Sequence, residues 1–115
     1  MDNPLSIANL IGGGWRDLAF GPFRDGIEIA TLYDDPSGAS AAVLRYAPGA
    51  AAPSHLHTGF EHVLILEGSQ SDGRGSYQAG ALTINPPGFS HEVTSPEGCV
   101  ALLIWQRPVA FIAES

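Results

Sequence analysis

No stretch of this 115-residue sequence repeats apolar residues at helical spacing for three turns. The apolar residues stand instead in short runs rich in β-branched and aromatic side chains. Gly and Pro cut these runs apart every few positions. Segments 27–33, 40–46, 62–67, 75–78, 82–84, 91–94 and 100–107 read as strands. The breaks carry turn chemistry: Asp34-Asp35-Pro36-Ser37-Gly38, Pro48-Gly49, Asp72-Gly73, Pro86-Pro87-Gly88 and Pro96-Glu97-Gly98. Many short strands at regular spacing predict an all-β fold, a small antiparallel barrel or sandwich.

The length fits one domain, since two independent cores would be hard to build from so few residues. Residues 1–26 read as an irregular N-terminal arm, packing Trp15, Phe20 or Phe23 on the barrel or on a partner subunit; residues 27–115 read as the barrel domain. The net charge is −7, and the five cations are all Arg, scattered singly as Arg16, Arg24, Arg45, Arg74 and Arg107. Nucleic-acid binding needs clustered cations to displace counterions from phosphates, so that partner class is not expected. Cys99 is the only cysteine, which excludes an intrachain disulfide and a Cys-based zinc site. Met1-Asp2-Asn3-Pro4 does not resemble a signal peptide, and the longest apolar run, from Cys99 to Trp105, falls far short of the ~20 residues of a membrane span. A cytoplasmic protein with no membrane partner is expected.

Chemistry concentrates in two blocks. The first runs Gly49-x5-His55-x-His57-x3-Glu61-x6-Gly68, the second Gly80-x5-Pro86-x-Gly88-x2-His91. Residues i and i+2 of a strand share a face roughly 7 Å apart, so His55 and His57 can aim both imidazoles into one interior. A metal with ~2.0–2.1 Å bonds to nitrogen fits between two such rings. Gly59 permits a tight bend returning the Glu61 carboxylate to the same side, and His91 comes from a strand remote in sequence, entered through the Pro86–Gly88 turn. A lone His-x-His is more often two hydrogen-bonded histidines than a metal site, but three of the four histidines and a Glu in this frame are harder to dismiss.

These two blocks resemble the paired motifs of the cupin superfamily. Trp15, Arg45-Tyr46-Ala47-Pro48-Gly49, Leu66-Glu67-Gly68, Asp72 to Tyr77 and Glu97-Gly98-Cys99 are similar to the ChrR-type cupins in particular. The resemblance implies a jelly-roll barrel holding one divalent transition metal, Zn, Fe, Mn or Ni, on His55, His57, Glu61 and His91. That family includes the C-terminal domain of zinc-dependent anti-sigma factors and stand-alone proteins, some of them dioxygenases. Ser95 stands where the second motif usually ends in Asn. No Cys-rich zinc motif accompanies the barrel, so anti-sigma activity is not carried over.

Two functions follow as expectations: a metal-binding module like the ChrR domain, or a metal-dependent dioxygenase acting on a small diketone or phenolic ketone in the barrel. Strand alternation turns His62 away from the metal, Cys99 is expected to pack as a small hydrophobe, and for Tyr46, Tyr77, Phe89, Trp105 and Arg107 core or interface packing is favoured over lining a pocket mouth. Lys is absent, which rules out Schiff-base chemistry. With Glu61, Val63 and Ile65 facing in, Leu64 and Leu66 point out, and both faces of that strand are apolar. A homodimer is therefore expected.

Overall fold

The structure is a computed structural model describing residues 1–111. Residues 112–115, the end of the predicted barrel segment, lie outside the described residues. Ten strands follow in chain order: β1 (Gly21–Arg24), β2 (Ile27–Asp34), β3 (Ser40–Tyr46), β4 (Ala50–Leu56), β5 (Glu61–Asp72), β6 (Gly75–Gln78), β7 (Leu82–Asn85), β8 (Ser90–Ser95), β9 (Cys99–Trp105) and β10 (Ala110–Phe111). Every pairing is antiparallel, in the order β1-β2-β3-β9-β5-β8-β4-β10, with β6 and β7 also on β5. The sheet curls on itself, as the predicted jelly roll requires.

The predicted strands form close to their expected bounds except β5, which continues past the expected end at Glu67 to Asp72. Three more appear. β4 escaped notice because Ala50-Ala51-Ala52-Pro53 has low strand propensity, and Pro53 lacks an N–H for the ladder. The strand tolerates it through a register irregularity between Ala52 and His55. β1 replaces part of the expected irregular arm, and β10 is a two-residue edge strand on β4.

Alternation along the strands produces two apolar clusters. Ile27, Leu44, Tyr46, Val63, Ile65, Val93, Ala101 and Leu103 fill the barrel interior. On the outside, Trp15 is buried against Val43, Leu66 and Val100, joined by Leu10, Leu18 and Phe20. Trp15 sits in a short 3-10 turn, Gly14–Asp17. Strand β3 thereby has apolar neighbours on both faces, which is why Ala41, Ala42, Val43 and Leu44 are all buried in succession. Alternation along β5 turns Ile65 inward and Leu66 toward the Trp15 side, and the pairing with β9 shifts register between Ile65 and Glu67. The outward Leu66 is thus covered by the chain's own N-terminal segment.

Candidate metal centre

His55 lies on β4 directly opposite His91 on β8. His57 follows the end of β4, with exposed Leu56 between the two buried histidines. Glu61 opens β5 after the Thr58-Gly59-Phe60 bend. Gly59 does not need a left-handed backbone there; it leaves space, since a Cβ would meet Gln106 and Arg107 at 3.1 Å. The bend is anchored by the Phe60 N–H donating to Gln106 Oε1 at 3.0 Å and the Gln106 N–H to the Phe60 carbonyl at 2.9 Å.

One potential ligand atom from each of His55, His57, Glu61 and His91 lies within 4.8 Å of all the others. The three imidazole centroids are 4.6, 4.9 and 5.1 Å apart. All four side chains named from sequence spacing therefore come together. His62 is on the opposite face of β5, between Ile84 of β7 and Ile104 of β9.

Each imidazole is oriented from behind. Nδ1 of His55 donates to the Pro53 carbonyl at 2.9 Å, Nδ1 of His57 to the Phe89 carbonyl at 2.8 Å, and Nδ1 of His91 to Asp72 Oδ2 at 3.0 Å. Fixing the Nδ1 proton leaves Nε2 of each ring as the inward atom, the arrangement that metal-ligating histidines show. Nε2 of His91 is buried and has no hydrogen-bond partner among the described residues. The donor set fits a cation: three imidazoles and a carboxylate, with an orphaned lone pair among them.

Electrostatics follow from these contacts. Burial lowers the pKa of His55. Burial also works against protonated His57, but the Glu61 carboxylate 2.9 Å from its Nε2 outweighs this and raises the pKa. Glu61, which burial alone would push up, is held below the usual carboxylate range by His57, Asn85 and Trp105. Asp72 behaves likewise: burial raises it, and hydrogen bonds from His91, the Arg74 N–H and the Tyr77 hydroxyl more than compensate.

Sequence reasoning missed Asp72, Asn85 and Trp105 as supports. Asp72 reads as a turn residue, and its Oδ1 does accept the Arg74 N–H at 2.8 Å; only the fold shows its other oxygen on His91. For Trp105 the sequence favours packing over a pocket-mouth position; in the structure it lines a cavity, and its indole is hydrogen-bonded to Glu61. A cavity of about 340 Å³ opens on His55 and Glu61, lined by Ile29, Leu44, Leu103 and Trp105 among others.

The family model of the ChrR Cupin-like domain matches residues 13–110. The chain belongs to this family. The anti-sigma-E factor ChrR of Cereibacter sphaeroides is 30% identical over 112 residues, covering 94% of this chain and 51% of that protein. This ChrR-like cupin thus spans about half the length of its curated relative. Among solved structures, the Rhodobacter sphaeroides SigE complex with the anti-sigma ChrR matches at 26% identity and a TM-score of 0.75, covering 90% of this chain and 57% of that one. An acetylacetone dioxygenase from Acinetobacter johnsonii shares the fold at 17% identity and a TM-score of 0.81, over 99% of this chain and 80% of that one. The predicted all-β cupin barrel is the architecture of this group.

Proposed function

We propose that this ChrR-like cupin binds one divalent transition metal through His55, His57, Glu61 and His91. The observation that carries the reading is the buried Nε2 of His91, unpartnered among the described residues, in a group whose four residues bring one potential ligand atom each to within 4.8 Å of the others. A cation is what such an array of lone pairs accepts. With neutral imidazoles and ionised Glu61, a bound dication keeps a net charge of +1. Zinc would be saturated by the four groups, as in a closed structural or regulatory site. Octahedral Fe, Mn or Ni would retain two further positions. Elemental analysis of protein expressed in metal-replete medium tests the proposal, with about one equivalent of metal per chain expected for this single cluster. Metal content no higher than that of His57→Ala would overturn it.

The cavity favours a second reading, a non-haem dioxygenase acting on a small diketone or phenolic ketone. Its size suits a small molecule, and its walls are largely apolar. A bound metal would supply Lewis acidity and a template for the reacting oxygens. Leu44 and Leu103 would pack the ligand body, while Trp105 and Asn85 hold the Glu61 carboxylate in place. Iron-loaded protein should then consume O₂ with acetylacetone or a related ketone. Neither uptake nor a change in the metal spectrum across such a panel would remove this reading and leave the binding module.

We also propose that a second copy covers the outer face of β7, β5 and β9. There Ile84, His62 and Ile104 lie side by side, next to the row Leu82, Leu64 and Leu102. Leu82, Ile84 and Ile104 are exposed. A monomer by light scattering would exclude the dimer. Among the described residues no helix is long and apolar enough to cross a membrane. A cytoplasmic setting is part of the proposal, resting on the lone, unpaired Cys99.

A further inference from the structure

Arg16, Arg45 and Arg74 each stand beside a carboxylate, those of Glu67, Glu28 and Asp72. Arg24 differs. Its Nε is buried and has no hydrogen-bond partner among the described residues. The guanidinium lies 4.3 Å from the ring centroid of Phe111 and 5.0 Å from that of Phe23. Aromatic faces hold a guanidinium in place without using its in-plane N–H groups, which stay available to an acceptor.

The local backbone explains where this side chain goes. Arg24 ends β1 and pairs with Ile27 across the two-residue Asp25-Gly26 turn. Asp-Gly is the sequence that tight hairpins favour, and Gly26 has a φ of +73°. A Cβ there would also press to 2.8 Å from the Ala50 side chain. A register irregularity between Pro22 and Arg24 re-aims the last residue of the strand. Arg24 consequently lines the 340 Å³ cavity, the same one that reaches His55 and Glu61. Asp34 borders this cavity too, but it is exposed, whereas Arg24 is half-buried.

A guanidinium whose buried N–H finds no partner among the described residues, beside apolar walls, gains from a ligand that supplies an acceptor. An uncharged ketone or amide offers one weak acceptor. A carboxylate offers two oxygens in the geometry of the guanidinium fork. We propose that the cavity takes a small organic acid, its carboxylate paired with Arg24 and its apolar body against Leu44 and Leu103. The proposal names the ligand class for the cavity beside the proposed metal centre, and rests on that reading only for the far end of the ligand.

The test titrates the full chain with hexanoate and with hexanamide, followed by NMR shifts and calorimetry. It uses protein as purified and after saturation with zinc, with metal content measured on each sample. Hexanoate should bind at least tenfold more tightly than hexanamide in both samples. Arg24→Gln should bring hexanoate down to the hexanamide level while leaving hexanamide affinity and metal content unchanged. Arg24→Lys, which keeps the charge and loses the fork, should fall between and guards against a folding defect. Equal binding of acid and amide, no binding of either, or an Arg24→Gln protein that still prefers the acid would overturn the proposal. Acid binding that requires zinc and survives Arg24→Gln would place the carboxylate on the metal and likewise overturn the proposal. Arg24-dependent binding without zinc uptake would instead count only against the metal centre.

Discussion

Trp105 donates its indole N–H to Glu61 Oε2 at 2.5 Å from the strand position directly opposite on β9. Asn85, opposite Glu61 on β7, donates to Oε1 at 2.9 Å. Both flanking strands therefore grip one carboxylate, and its orientation is fixed before any ion arrives. Preorganisation of this kind strengthens a ligand without touching the metal.

Trp105→Phe keeps the aromatic surface and deletes only the donor. Its metal affinity should fall by about ten- to a hundredfold, the range typical of lost outer-shell partners. Competition against a zinc-chelating dye reads the change, and wild-type affinity would show that the indole bond does not support Glu61.

His57→Ala should remove most of the bound metal, whereas His62→Ala, on the other face of β5, should leave it nearly unchanged. Elemental analysis of the two variants side by side decides this. Equal losses would mean that His62 reaches the metal or that His57 does not.

Both ring nitrogens of His57 face acceptors, the Phe89 carbonyl and Glu61, so the metal-free ring takes up a second proton more readily than a free imidazole. Its raised pKa agrees in sign. A metal competes with a proton for Nε2, so binding should release protons. Metal should correspondingly leave as pH falls through and below ~6, where protons compete for the imidazoles. Asp72, held below its usual range, stays ionised through that interval and keeps its grip on His91. Dialysis against chelator over a pH series measures the loss, and retention at pH ~4 would contradict proton competition.

Cys99 is buried, and burial pushes its thiol pKa up while contacts with Ser95 and Gln70 pull weakly the other way. The native protein should not react with a thiol-specific disulfide dye at mildly alkaline pH, and unfolding should expose one reactive thiol. Rapid labelling of native protein would show that the β9 start opens readily.

Trp15→Ala removes the centre of the outer cluster while leaving the barrel interior intact. A loss of about 3–5 kcal/mol is expected for a buried Trp. Urea unfolding measures it, and the folded variant should still take up metal. An unchanged midpoint would show that the N-terminal segment does not stabilise the barrel.

Strand positions were legible where runs with β-branched residues are bounded by Gly and Pro, as in β2 and β9, because that pattern is local. β4 was not, since Pro53 and three alanines give no local preference and the strand is held by its neighbours β8 and β10. Ser95 shows the same limit. Replacing the expected Asn, it is fully buried and its hydroxyl donates to the Ser69 carbonyl at 2.7 Å, tying β8 to β5.

Sequence by itself determined the all-β class and grouped His55, His57 and Glu61, because strand alternation and short spacings are properties of a local stretch of chain; His91, remote along the chain, was named through the resemblance to the paired cupin motifs. Tertiary structure alone decided what stands behind those ligands: Asp72 on His91, Asn85 and Trp105 on Glu61, and Arg24 at the cavity wall. Those relationships join residues far apart along the chain, and the register between antiparallel strands, set by packing on both faces of the sheet, creates them.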